Sequence, residues 1–298
     1  MPLRFVIGVP EDFDFWLTVG RSGWSALAPF HLDSENSAIS RAQRLSTGRI
    51  VYATLTAEEG GIAVSFGGDE LDGGEVEELE GIVGTMLNLD EDLSGFHAMI
   101  EGHPELGWAA EMGVGRSIRC PTVFEDVVKT ICTTNASWGL TKGITRRLCE
   151  RLGEPIGDSH TFPTPGALAS TTEEFLRREV KSGYRSPYLI ELARRNVDGE
   201  IDPEAWADSP LGSDELKAEI LALKGVGEYA ANNILQLLGR YDFLALDSWM
   251  RRKFSEIHRG GEPADDAEIE EHYAQFGRWK GLALRLDMAK EFIIKEFD

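Results

Sequence analysis

A short turn and an acid one helix beyond it are the part of this chain best suited to chemistry. The turn is Leu223-Lys224-Gly225-Val226-Gly227, and the acid is Asp247. Ser213-Asp214-Glu215-Leu216 opens a helix with a capping residue and with acids in its first turn, where they suit the helix dipole. A second helix starts near Glu228. Two glycines around one small apolar residue let the backbone take torsions that a Cβ forbids, with Val226 tucked into the core. The amides at the start of the second helix then form a phosphate site that needs no lysine or arginine. A helix–helix corner without a ligand uses the same residue types, so the turn alone leaves both readings open.

Asp247 follows the apolar run Phe243-Leu244-Ala245-Leu246 and precedes Ser248-Trp249-Met250. As an isolated acid it reads as a plain N-cap. Its place one helix after a phosphate-holding turn gives it a second reading, a carboxylate within reach of a held nucleotide. There it can stabilise a sugar with oxocarbenium character and orient or deprotonate an attacking water. One acid suffices when the departing base is a good leaving group, as a cationic alkylated purine is. Such a base must first leave the stack, which calls for a residue to fill the gap and a pocket with π-faces.

Two kinds of segment must position these groups. Arg4–Val9, Gly48–Leu55 and Gly61–Phe66 are rich in β-branched residues and read as strands, the last two joined by a hairpin loop over Thr56–Gly60. Glu75–Leu87 has the apolar spacing of an amphipathic helix. From about residue 90 the strand signal disappears and helical spacing takes over. It covers Val123–Cys132, Leu140–Leu152, Glu173–Val180, Pro187–Arg195, Ser213–Leu223, Glu228–Leu238, Ser248–His258, Ala267–Phe276 and Trp279–Phe297. The expected class is α+β. A small antiparallel sheet domain over residues 1–88 precedes an all-helical core over 89–298 in two lobes, with a helix-hairpin-helix at 213–239.

Composition narrows the class further. A chain of 298 residues with 42% hydrophobic and 27% charged side chains is that of a soluble globular protein, expected to be a monomer. No apolar run is long enough to cross a bilayer, and Met1-Pro2-Leu3-Arg4 does not open a secretory signal, so a cytoplasmic or nucleoid-associated location is expected. Cys120, Cys132 and Cys149 show no CxxC spacing and read as buried free thiols. The formal charge of −21 runs against the basic balance expected of a nucleic-acid binder. It is uneven, however. Residues 1–115 carry 20 acids against 5 arginines, whereas residues 116–153 carry 7 basic side chains against 3 acids. A locally positive face is therefore compatible with an acidic total.

These residues resemble the helix-hairpin-helix DNA glycosylase superfamily, in the branch of 3-methyladenine DNA glycosylase II and 8-oxoguanine DNA glycosylase. The turn with Glu228-Tyr229-Ala230-Ala231 and Asp247 is similar to the family's hairpin and its essential aspartate. Ile131-Cys132-Thr133-Thr134-Asn135 is similar to the segment that fills the gap left by a flipped nucleotide. Phe162-Pro163-Thr164-Pro165, Gly183-Tyr184-Arg185 and Gly277-Arg278-Trp279-Lys280-Gly281-Leu282-Ala283 add support over residues 85–298. The resemblance implies double-stranded DNA with a damaged base as partner and base excision as activity. It implies Asp247 as the catalytic carboxylate, Asn135 as the wedge, and Gly225, Val226, Gly227 and Ala230 as the DNA-holding hairpin. Tyr229, Met288 and Trp249 are implied for the base pocket. The carbonyls of Leu221, Leu223 and Val226 are implied as ligands of a structural monovalent cation.

Tyr229 stands where strand-cleaving members carry a lysine nucleophile, and tyrosine cannot form a Schiff base with the sugar. This points to a monofunctional enzyme that uses water and removes an alkylated purine. The alternatives are an 8-oxoguanine glycosylase/lyase and, from another class, a non-catalytic hairpin module that binds DNA. No cysteine follows Cys149, so the four-cysteine iron–sulfur cluster of the endonuclease III branch is not expected, and no cofactor is required.

Overall fold

In a computed structural model, residues 3–20 and 22–294 are described. Five antiparallel strands open the chain: β1 (Leu3–Ile7), β2 (His31–Asp33), β3 (Ala38–Arg44), β4 (Ile50–Glu58) and β5 (Gly61–Phe66), in the order β1-β5-β4-β3-β2. Strand β4 alternates as its period-2 pattern requires, burying Val51, Ala53 and Leu55. It runs to Glu58, which pairs with Gly61, so the expected five-residue loop contracts to a tight turn with Gly60 at φ +87°.

Sequence reading missed β2 and β3, and the reason for β3 is physical. The strand carries Arg41 and Arg44, which read as surface residues, yet Arg41 is buried and its guanidinium donates to both oxygens of Glu125, at 3.3 and 2.9 Å. Past residue 90, where no strand is expected, a two-residue hairpin pairs Pro155–Ile156 with Ser159–His160.

The longer helices are α1 (Gly73–Leu87), α2 (Val123–Thr133), α3 (Trp138–Leu152), α4 (Ser186–Val197), α5 (Ser213–Leu221), α6 (Glu228–Leu237), α7 (Ser248–His258), α8 (Asp266–Tyr273) and α9 (Lys280–Ile294). Their starts follow local capping rules. Asp72 and Glu75 form a reciprocal capping box on α1, and Asp265 and Glu268 do the same on α8. Two short helices, Ser94–Ile100 and Gly107–Glu111, lie in a stretch with no clear periodicity. The helix expected over Trp279–Phe297 starts at Lys280, and its last expected residues lie outside those described. No helix among the described residues is long and apolar enough to cross a membrane.

The chain forms two compact units. One comprises residues 1–90 with 116–207, the other 91–115 with 208–298. The sheet is therefore packed with helical segments rather than standing apart at residue 88. The buried bridge from Arg41 on β3 to Glu125 on α2 is one reason, and the Trp24 indole donating to Asp126 at 2.6 Å is another. All three cysteines are buried and free in this unit. Burial pushes the Cys132 and Cys149 thiols up to about 12, so neither is a thiolate nucleophile.

Candidate active site

The second unit holds the hairpin and Asp247. Gly225 has φ +85°, a left-handed conformation that favours glycine. Gly227 does not: its φ and ψ of −104° and −175° are extended, open to any residue. The expectation that both glycines serve forbidden torsions thus holds only for the first. A Cβ on Gly227 would meet no atom within 4 Å, so this glycine leaves space in front of the helix it begins. Val226 and Ala230 are buried, Val226 at 8% exposure, which anchors the turn as its residue type requires.

Gly227 is the N-cap of α6 and supplies no side-chain cap to it. The neighbouring helices of this unit differ: Asp247 caps α7, Asp265 caps α8, and the Glu215 carboxylate accepts the Gly212 amide at 3.1 Å before α5. The first-turn amides of α6 thus meet no acceptor from the capping residue, which suits an external anion. Beside them Glu228 is paired with Lys217 at 2.5 Å, and the same ammonium lies 4.2 Å from the Phe243 ring centre.

Asp247 starts α7, and its Oδ1 accepts the Met250 amide at 2.8 Å. That bond is the only one to its carboxylate among the described residues, so Oδ2 has no donor. Asp247 lines a cleft of about 70 Å³ together with Tyr229, Asn233, Gln236, Met250, Leu284 and Arg285. The volume holds a few waters, and a base must displace side chains to enter. Met250 is the most adaptable of them.

Three residues that sequence reading did not single out hold the Asp247 loop in place. Asn232 and Gln236, one helical turn apart on α6, donate to the carbonyls of Leu244 at 2.8 Å and Phe243 at 3.0 Å. Gly281 on α9 donates its amide to the Tyr241 carbonyl at 2.8 Å. A Cβ there would lie 2.5 Å from the Phe243 oxygen and 2.9 Å from that of Tyr241, so only glycine fits. The Tyr241 ring is stacked on Trp279 at 5.7 Å, its hydroxyl donates to Glu91, and the Arg285 guanidinium lies 5.6 Å from its ring centre. Arg285 is in turn fixed by the Gly115 carbonyl at 2.5 Å.

Of the three residues expected around the base, only Tyr229 lines the cleft. Met288 is fully buried in the core on α9, one turn beyond Leu284, which takes its place. Trp249 faces Phe292 at 6.1 Å, while its neighbour Met250 points into the cleft. The first difference is a displacement of one turn along the same helix face; the second is a shift of helical phase, in which one residue turns the side chain by about 100°.

Asn135 lies in the first unit, exposed, just past the end of α2. Its φ of +46° is a conformation that asparagine tolerates better than most side chains. The turn is braced by the Tyr184 hydroxyl, which donates to the Thr134 carbonyl at 3.0 Å, and by Arg185, which donates to the same oxygen.

A family description, the HhH-GPD superfamily of base excision DNA repair proteins, matches residues 128–278, and the chain belongs to that superfamily. Over 122 residues it is 27% identical to an N-glycosylase/DNA lyase of Saccharomyces cerevisiae, covering 37% of this chain and 32% of the yeast protein. The chain thus matches about a third of that relative's length. Its fold is similar to that of a 3-methyladenine DNA glycosylase from Archaeoglobus fulgidus, with a TM-score of 0.76 at 21% identity over 97% of this chain and 99% of the other. It is also similar to an 8-oxoguanine glycosylase/lyase from Clostridium acetobutylicum in its apo form, with a TM-score of 0.72 at 19% identity over 97% of each chain.

Proposed function

We propose that this member of the HhH-GPD superfamily is a monofunctional DNA N-glycosylase that extrudes an alkylated purine from duplex DNA and hydrolyses its glycosidic bond. The observation that carries this reading is the composition of the cleft around Asp247. Tyr229 occupies the second position of α6, and no lysine is among the lining residues described. Lys217, near in sequence, is committed to Glu228 and the Phe243 ring. With no amine to attack the sugar, water is the nucleophile.

In this mechanism the first-turn amides of α6 hold a phosphate and draw the nucleotide to the hairpin. Asn135 enters the stack where the nucleotide has left, and Tyr229 gives an electron-poor base a π-surface. As the glycosidic bond breaks, Asp247 stabilises the positive charge growing on the sugar. Its undonated Oδ2 takes a proton from the attacking water, and the proton is later released to solvent. Leu221 ends α5, at the negative end of its dipole, and Leu223 and Val226 follow in the turn, so that their three carbonyls suit a monovalent cation. Such an ion would neutralise the turn as a phosphate approaches.

The test is incubation with methylated duplex DNA, followed by chromatography for free bases and borohydride treatment for covalent adducts. Release of methylated purine without a trapped adduct is expected. The yeast relative's description as a DNA lyase keeps a second reading in play, an 8-oxoguanine glycosylase/lyase. A trapped adduct on 8-oxoguanine DNA would replace the first reading with that one.

A further inference from the structure

Away from the cleft, four side chains from four separated segments of the second unit converge: Glu105, His258 at the end of α7, His272 on α8 and Asp287 on α9. One candidate ligand atom from each lies within 4.8 Å of the others. The contacts among them are of two kinds. His258 Nε2 is 2.7 Å from Asp287 Oδ2, and the Tyr273 hydroxyl donates to that same oxygen at 2.5 Å. These are ordinary hydrogen bonds. They commit Asp287 and, with the proton on Nε2, leave the Nδ1 lone pair of His258 on the other side of the ring.

The contacts to Glu105 are longer. His258 Nδ1 is 3.7 Å from one carboxylate oxygen and His272 Nε2 is 3.5 Å from the other. Both are longer than an ordinary hydrogen bond, and His272 Nε2 is buried with no well-formed partner. Two ligand atoms on one tetrahedral zinc, each bonded at about 2.0–2.1 Å, stand roughly 3.4 Å apart. The spacing suits a shared ion better than direct bonding. The imidazoles, with centroids 4.4 Å apart, are walled by Phe254 and Tyr273.

We propose that Glu105, His258 Nδ1 and His272 Nε2 bind a zinc ion, with Asp287 fixing the tautomer and orientation of His258. Two imidazoles and a carboxylate suit zinc rather than magnesium or calcium, which take oxygen ligands. A carboxylate on the remote nitrogen of a ligating histidine is the usual outer support of such sites. Three protein ligands leave a fourth position for water, on the side where the Glu105 side chain is 41% exposed. The ion pins the end of α7, α8 and the 91–115 segment together. The site lies outside the Asp247 cleft and stands whether or not the chain excises bases.

The full chain, stripped with a chelator and dialysed, is titrated with zinc chloride by calorimetry and with cobalt(II) by visible absorption. One equivalent of zinc is expected, with tetrahedral cobalt bands and a higher melting temperature. His272→Gln should lose binding by more than 100-fold, and Asp287→Asn should weaken it by about 10–100-fold. Should either substitution prevent folding, Glu105→Gln, at a more exposed position, is expected to fold and to bind at least 10-fold more weakly. Absence of saturable zinc uptake by the folded chain would overturn the proposal. So would one equivalent held equally well by Glu105→Gln, which would place the ion elsewhere.

Discussion

Glu125 and Asp247 both sit at the start of a helix, one in each unit, under opposite conditions. Glu125 is buried, paired with Arg41 at 2.9 Å and with Lys129 at 2.7 Å, and both cations lie over the Phe30 ring. Burial alone would raise its carboxyl, but Arg41 and Lys129 outweigh it and hold it at about 2. Its neighbour Asp126 is shifted the other way, burial lifting it to about 6 against hydrogen bonds from Cys120 and Trp24. A search for perturbed acids would stop at this pair. Yet Glu125 is matched by two cations and both acids are enclosed, which marks a structural knot. Among the described residues Asp247 has one hydrogen bond to its carboxylate and no cation bonded to it, and it lines an open cleft. The difference teaches that commitment, more than perturbation, separates a working acid from a structural one.

The sharpest way to break that comparison is Asp247→Asn. Asparagine caps a helix as well as aspartate does, so stability should change by under about 1 kcal/mol. Base release, followed under single-turnover conditions, should fall by about 10²–10⁴-fold. A variant that keeps parental activity would show that the carboxylate is only a cap.

Glu125→Gln should do the reverse. It strands Arg41 and Lys129 in the interior, and chemical denaturation should show a loss of roughly 3–5 kcal/mol, with base release per folded molecule preserved. Asp126→Asn separates the two neighbours. Because the folded carboxyl titrates near 6 and the unfolded one at its ordinary value of 3.8, its contribution to stability is full below the lower value and lost as pH rises through the higher. Parent stability should therefore gain from Asp126 as pH falls from 7 towards 4, by up to about 3 kcal/mol. In Asp126→Asn that gain should vanish, as melting curves across this window would reveal. Gly281→Ala, the smallest change, pushes a methyl group against the Phe243 and Tyr241 carbonyls. A loss of about 1–3 kcal/mol is expected. Turnover should drop beyond the unfolded fraction, since the loop bearing Asp247 must move.

How legible each part was in the sequence depends on how local its cause is. The hairpin and Asp247 were readable because glycine torsion, a buried valine and a cap act within a few residues. Asn232, Gln236 and Gly281 were not, because they act on backbone carbonyls that carry no residue signature. Leu284 lines the cleft one turn before Met288, and Met250 one residue after Trp249, a precision that family position does not supply. Strand β3 was hidden because Arg41 reads as surface until Glu125, 84 positions away, is brought beside it. The histidine cluster has no spacing motif at all, since its members come from four segments.

The amide clamp on the loop before Asp247 has a consequence for sequence drift. Asn232 and Gln236 grip main-chain oxygens of residues 244 and 243, and Gly281 grips that of residue 241. The position of the acid is thus written partly into α6 and α9, which hold the loop by its main chain. These main-chain bonds do not depend on which side chain stands at position 243. A single exchange of Asn232 for a residue that cannot donate would misplace the acid without altering any residue of the loop.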